Sequence, residues 1–124
     1  MDFTDLLAYQ KAYKLAMDIF EISKAFPKEE TYSLTDQSRR SSRSVCAQIA
    51  EGYWKRRYPA HFISKMTDPD GENAETQVWI NFAYSCRYIE KSVCDDLLEC
   101  SHEVGRLIGN MINNPQQFGV NPHL

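Results

Sequence analysis

Six cations, Arg39, Arg40, Arg43, Lys55, Arg56 and Arg57, lie in residues 39–57, a stretch that holds a single carboxylate, Glu51. Guanidinium groups bond phosphate oxygens in pairs, an ammonium adds a point charge, and the neighbouring Tyr53, Trp54 and Tyr58 offer faces on which unpaired bases stack. The pattern fits contact with RNA or DNA. It also fits a salt-bridged surface that faces a second subunit or another protein, and the sequence leaves both readings open.

Other chemistries lack their residues. Glu51 has no second carboxylate at a helical spacing, so it reads as an ion-pair partner and not as half of an acid and base pair. Asp68-Pro69-Asp70-Gly71 resembles the start of a calcium loop, but Asn73 and Trp79 stand where such a loop needs its glycine and its final glutamate. His61, His102 and His123 form no ligand pair, and Cys46, Cys86, Cys94 and Cys100 contain no C-x-x-C. Strings for phosphate loops, dinucleotide folds and nucleophile elbows do not occur. The expectation is a protein without catalytic residues, metal or cofactor.

The elements that would position the cationic stretch come from a chain of 124 residues, 43% hydrophobic, which is enough for one core. The net charge of −3 conceals a segregation in which residues 90–106 carry five carboxylates against Lys91 and Arg106. Met1-Asp2-Phe3-Thr4-Asp5 lacks the basic start and apolar run of a leader, and no stretch approaches the ~18 apolar residues of a membrane span. A reducing, cytoplasmic setting is expected.

Apolar spacing predicts a first helix from about Asp5 to Phe26, stopped by Pro27. A second is expected to open at a capping box, Ser33 with Asp36, and to run to about Arg57. On it Leu34, Ser38, Ser41, Ser42, Val45, Ile49 and Tyr53 share an inward side, with Arg39, Arg40, Arg43 and Ala47 opposite. A third spans Pro59 to about Cys86, with Phe62, Ile63, Met66, Ala74, Val78, Trp79 and Phe82 as its apolar set. Local chemistry at residues 68–71 leaves one helix or two equally open. A fourth runs from a second capping box, Ser92 with Asp95, to about Asn113, with a seam of Val93, Leu97, Cys100, Val104, Leu107 and Met111. Residues 1–113 thus form an all-α, antiparallel, up-down four-helix bundle, and residues 114–124 a tail that is poorly ordered or draped on the surface. Tyr9, Tyr13 and Phe20, left over on the first helix, suggest a homo-oligomer.

Leu34-Thr35-Asp36-Gln37-Ser38-Arg39-Arg40, Ser44-Val45 and Ile49-Ala50-Glu51-Gly52-Tyr53 together resemble the four-helix-bundle family of proteins encoded in intervening sequences of bacterial 23S ribosomal RNA genes. Tyr9-Gln10-Lys11-Ala12, Phe26-Pro27-Lys28-Glu29-Glu30, Phe62-Ile63-Ser64-Lys65, Glu72-Asn73-Ala74-Glu75-Thr76 and Trp79 add to the likeness, which spans residues 3–112. That family is similar to the accessory variability determinant of diversity-generating retroelements. The resemblance implies a closed ring of five copies and a positive surface that engages nucleic acid and a reverse transcriptase. This chain departs from the family pattern at Gln48, usually Asn, and at Ser38 and Ser41, usually apolar. It also departs at residues 68–71, where the family helix is unbroken. The spacing from Phe62 to Glu72 carries no insertion, so one continuous helix, kinked at Pro69, is the expectation.

Overall fold

A computed structural model describes residues 1–120. Among them are four α-helices and no strand: α1 (Leu7–Ser23), α2 (Leu34–Trp54), α3 (Pro59–Ser85) and α4 (Lys91–Asn113). Each packs on its chain neighbour, and α1 closes on α4. Pairings between α2 and α3 run in opposite directions: Arg40 meets Glu75, Ser41 meets Thr76, and Gln48 meets Lys65. The fold is the antiparallel four-helix bundle that the periodicities predict.

The helix starts differ from the sequence pattern. Asp2 and Asp5 form a capping box around the short turn Phe3–Asp5, and α1 then opens at Leu6 with no side-chain cap. Past Ser23 the chain tightens through Ala25 N–H to Ile22 O (3.2 Å) and Phe26 N–H to Ser23 O (3.1 Å), reaching Pro27 as one more turn. The Ser33 box does not form. Its hydroxyl donates instead to Glu30 Oε1, which also accepts from the Leu34 amide (3.3 Å), so a glutamate outside the helix satisfies the first free amide of α2. α4 begins at Lys91, and its N-cap, Glu90, stands two residues before the predicted Ser92 and makes no side-chain cap bond.

Two apolar clusters make the core. One joins Leu6, Ala12, Val45, Ile49, Phe62, Met66, Val104 and Ile108, and the other joins Leu15, Ile19, Ile80, Cys94 and Leu97. The buried serine, threonine and asparagine side chains between the helices are bonded, whereas the indole N–H of Trp79 is buried without a partner among the described residues. Ser41 Oγ pairs with Thr76 Oγ1 (2.8 Å), Ser101 Oγ donates to Asn73 Oδ1 (2.9 Å), and Asn73 Nδ2 donates to the Ser101 carbonyl (2.9 Å). Such groups are tolerated in a core only when partnered, and Ser41 is one of the two serines that replace apolar residues of the family pattern.

α3 is continuous through residues 68–71, with Pro69 buried inside it. After Asn114 the chain makes a short turn, Pro115–Phe118, and Gly119 adopts a left-handed conformation (φ 84°). That reversal carries Val120 into the first core cluster. Residues 121–124, with His123, lie outside the described residues.

Candidate nucleic-acid interface

The arginines of α2 are held by the bundle itself. Arg39 Nε donates to Ser23 Oγ (2.7 Å) and its Nη2 to the Phe20 carbonyl (3.4 Å), with the guanidinium 4.8 Å from the Phe20 ring centre. Arg43 lies over the same ring at 5.6 Å. Arg40 reaches the other way, with Nη2 2.7 Å from both Glu75 oxygens and Nη1 3.4 Å from Glu72 Oε2. This charged bond holds the Glu75 carboxyl below its usual range and raises the guanidinium further, whereas burial and the adjacent Glu75 push Glu72 up. Two other acids bind lysines rather than these arginines: Glu51 pairs with Lys65 (3.0 Å) and Glu103 of α4 with Lys11 (3.8 Å).

The remaining cations gather where α2 turns into α3. Past Trp54 the chain unwinds through Lys55 N–H to Gly52 O (3.0 Å) and Tyr58 N–H to Lys55 O (2.9 Å). Tyr58 is extended, and Pro59 opens α3, where its missing N–H costs nothing. This tight corner puts Trp54 and Tyr58 outside, 83% and 58% exposed. Lys55 and Arg57 are exposed beside them, and among the described residues neither they nor Arg56 forms an ion pair.

Arg56 is folded back, its guanidinium 4.1 Å from the Tyr53 ring centre and its Nη1 donating to the Tyr53 carbonyl (3.1 Å). Trp54, Arg56, Arg57, Tyr58 and Gly119 line an open groove of ≈ 500 Å³. The Tyr58 and His61 rings stand 5.8 Å apart at its edge.

The six sequence-predicted cations therefore form two groups. Arg43 and Trp54 are eleven residues apart on one helix, which is about 16 Å. Arg39 and Arg40 tie α2 to α1 and α3, while Lys55, Arg56 and Arg57 share the corner. Sequence reasoning missed Gly119 as a wall of the groove. Its signal was a glycine followed by an apolar residue after a turn, the pattern of a left-handed cap that returns a side chain to the core.

A second opening, also missed, lies between α1 and α2, with ≈ 440 Å³ lined by Phe3, Tyr9, Tyr13, Met17, Arg43 and Cys46 among others. Burial pushes the Cys46 thiol up to about 11, which leaves it protonated and a poor nucleophile near neutral pH. Among the described residues no group of three His, Cys, Asp or Glu side chains could hold a metal ion, and no helix is long and apolar enough to cross a membrane.

The same fold occurs in a crystal structure of a protein with unknown function from the S23 ribosomal protein family of Bacteroides thetaiotaomicron VPI-5482. The two chains are 23% identical, with a TM-score of 0.77 over 87% of this chain and 96% of that one. No curated protein matches the sequence. A family model described as 23S rRNA-intervening sequence protein matches residues 4–110, so α1, α2 with its serine-lined face and cationic corner, α3 and all but the last three residues of α4 lie within the match. The chain belongs to the 23S rRNA-intervening sequence protein family.

Proposed function

We propose that this protein is a non-catalytic, cytoplasmic binding module that contacts nucleic-acid phosphates through the corner between α2 and α3. The observation that carries the reading is that, among the described residues, Lys55 and Arg57 are exposed and form no ion pair, beside two exposed aromatic rings. Paired surface charges are already neutralised, but free ones release counterions from a phosphate backbone when they bind it. The helical arginines of the same stretch have a lesser part, because Arg39 and Arg40 already have partners.

Titration of the chain with RNA and with single-stranded DNA at two salt concentrations tests this. Affinity should fall steeply as salt rises, and Lys55→Ala with Arg57→Ala should flatten the dependence. Affinity indifferent to salt would end the phosphate reading.

A second reading, self-association, has its own support. Val78 and Phe82 of α3 are 46% and 53% exposed beside Trp79, and Tyr13 of α1 is 53% exposed at the mouth of the α1/α2 opening. Apolar side chains in such groups are commonly covered by another chain. The family likeness suggests a closed ring of five copies, in which Arg43 and the acids of α4 serve contacts between copies or with a protein partner. A particle of monomer mass in light scattering at micromolar concentration would refute it.

A further inference from the structure

We infer that the ligand of the α2/α3 corner is an unpaired strand, its bases stacked on Trp54 and Tyr58 and its phosphates on Lys55 and Arg57. The inference rests on the nucleic-acid reading above and adds the ligand's class to it. A cationic corner alone suits a duplex as well as a single strand. The rings decide between them.

In a duplex the bases are already stacked and face inward, so a protruding ring contacts only sugar and phosphate. An unpaired strand presents its base faces, and aromatic side chains hold them with little regard to sequence. Trp54 is the larger of the two exposed rings at the corner, and among the described residues no aromatic pair or cation–π contact engages its indole. Keeping so large an apolar surface in water at a folded corner is unfavourable by itself. A stacked base would cover it.

The groove supplies the rest of the site. Arg56 is fixed against Tyr53 and forms a wall, which leaves Lys55 and Arg57, one residue to either side, as the movable cations. Gly119 lies against Arg56, whose Cδ and Nε are 3.7 Å from where a Cβ on Gly119 would stand, and its left-handed conformation resists a bulkier residue there. The groove of ≈ 500 Å³ accepts a nucleotide, and the Tyr58–His61 pair continues the aromatic surface beyond it. An anionic lipid surface also attracts tryptophan and cations. It would further need aliphatic side chains to insert, and among the described residues the groove lining has none.

The test compares the full chain's affinity for an unstructured oligouridylate, for a perfectly paired RNA hairpin and for phosphatidylserine vesicles, in the wild type, Trp54→Ala and Trp54→Phe. Unpaired RNA should bind at least about tenfold tighter than the hairpin. Trp54→Ala should weaken unpaired-strand binding by roughly five- to 150-fold, the range spanned by removal of one stacked base, and leave the hairpin affinity unchanged. Trp54→Phe should retain most of the affinity. Circular dichroism checks that each variant folds, as an exposed side chain allows.

Equal affinity for hairpin and single strand, unmoved by Trp54→Ala, overturns the stacking inference and leaves the phosphate reading standing. No binding to either RNA overturns both. Binding to vesicles alone replaces both with a membrane-surface role.

Discussion

Met66 Sδ stands 2.5 Å from the point that a Cβ on Gly52 would occupy, and Met66 is fully buried. The last turn of α2 thus leaves no room for a Cβ against the Met66 side chain of α3, just before the corner where Trp54 and Lys55 emerge. Gly52→Ala should destabilise the fold by about 1–3 kcal/mol through overpacking, although alanine is otherwise the better helix former by about 1 kcal/mol. Met66→Ala should cost less in the Gly52→Ala background than in the wild type, because it removes the atom in the way. Additive losses in urea unfolding would mean that the two sites do not meet.

How far the sequence revealed this arrangement differs from helix to helix. On α2 every residue predicted to face inward is buried, because apolar and small side chains there keep one period. On α3 the apolar pattern misleads. Its inward seam is Phe62, Met66, Pro69, Asn73, Thr76, Ile80 and Ala83, in which Asn73 and Thr76 are polar and Pro69 reads as a helix breaker, so Ile63, Val78 and Phe82, read as core, are on the outside. On α4 the seam is rotated: Cys94, Ser101 and Ile108 alternate with Leu97, Val104 and Met111, whereas Val93, Cys100 and Leu107 are only half-buried. A bonded serine at 101 is invisible to a hydrophobic count. The cations of the site were legible by type, but the pairing of Arg40 with Glu72 and Glu75 joins residues on different helices and has no local signature.

Pro69 sits inside a continuous helix, where it denies the Lys65 carbonyl its amide donor at a cost of about 3 kcal/mol. Its ring is also buried, and alanine would forfeit two methylenes at about 0.8 kcal/mol each. Pro69→Ala should therefore stabilise the bundle by about 1 kcal/mol, raising Tm by roughly 4 °C. A neutral or lowered Tm would show that the ring's packing outweighs the missing hydrogen bond.

Glu30 accepts from Ser33 Oγ, from the Leu34 amide and from Tyr88 Oη (2.9 Å), joining the α1–α2 connection to the α3–α4 connection. The Ser33 bond, with Tyr88, holds the Glu30 carboxyl below its usual range, and the same carboxylate pushes Tyr88 up to about 12. The stability from Glu30 is complete above the unfolded value of about 4.3 and lost as pH falls through the folded one. That from Tyr88 is complete below about 10, the unfolded value, and is lost as pH rises from there towards 12. Urea midpoints across pH should show both declines, and Glu30→Gln should flatten both. If the alkaline decline survives in Glu30→Gln unchanged, Tyr88 draws its shift from elsewhere.

Arg87 occupies the left-handed position (φ 65°) that ends α3, with Tyr88 N–H bonded to Ala83 O and Arg87 N–H to Tyr84 O, both 2.9 Å. That pair of bonds is a Schellman cap, which favours glycine at this place. Arg87→Gly should stabilise the chain by roughly 1 kcal/mol, as a side chain in this conformation costs about that much. A fall in stability would mean that the arginine makes a compensating contact.

The cationic stretch divides by what each charge already touches, and two substitutions should separate its halves. Arg40→Ala removes a half-exposed bridge and should lower stability by no more than about 1 kcal/mol. It also uncovers two carboxylates, Glu72 and Glu75, whose field would repel a phosphate within its reach. Fourteen residues of helix place Arg40 about 21 Å from Trp54, and the screening length at physiological salt is about 8 Å, so that repulsion should not extend to the corner. Arg40→Ala should accordingly leave the salt dependence of nucleic-acid binding unchanged. Lys55→Ala with Arg57→Ala should do the opposite, sparing Tm while lowering the slope of log affinity against log salt by about 0.7 for each single-strand phosphate no longer neutralised. Should Arg40→Ala abolish binding while the corner variant binds normally, the phosphates lie along α2, and the intramolecular bonds of Arg40 open to receive them.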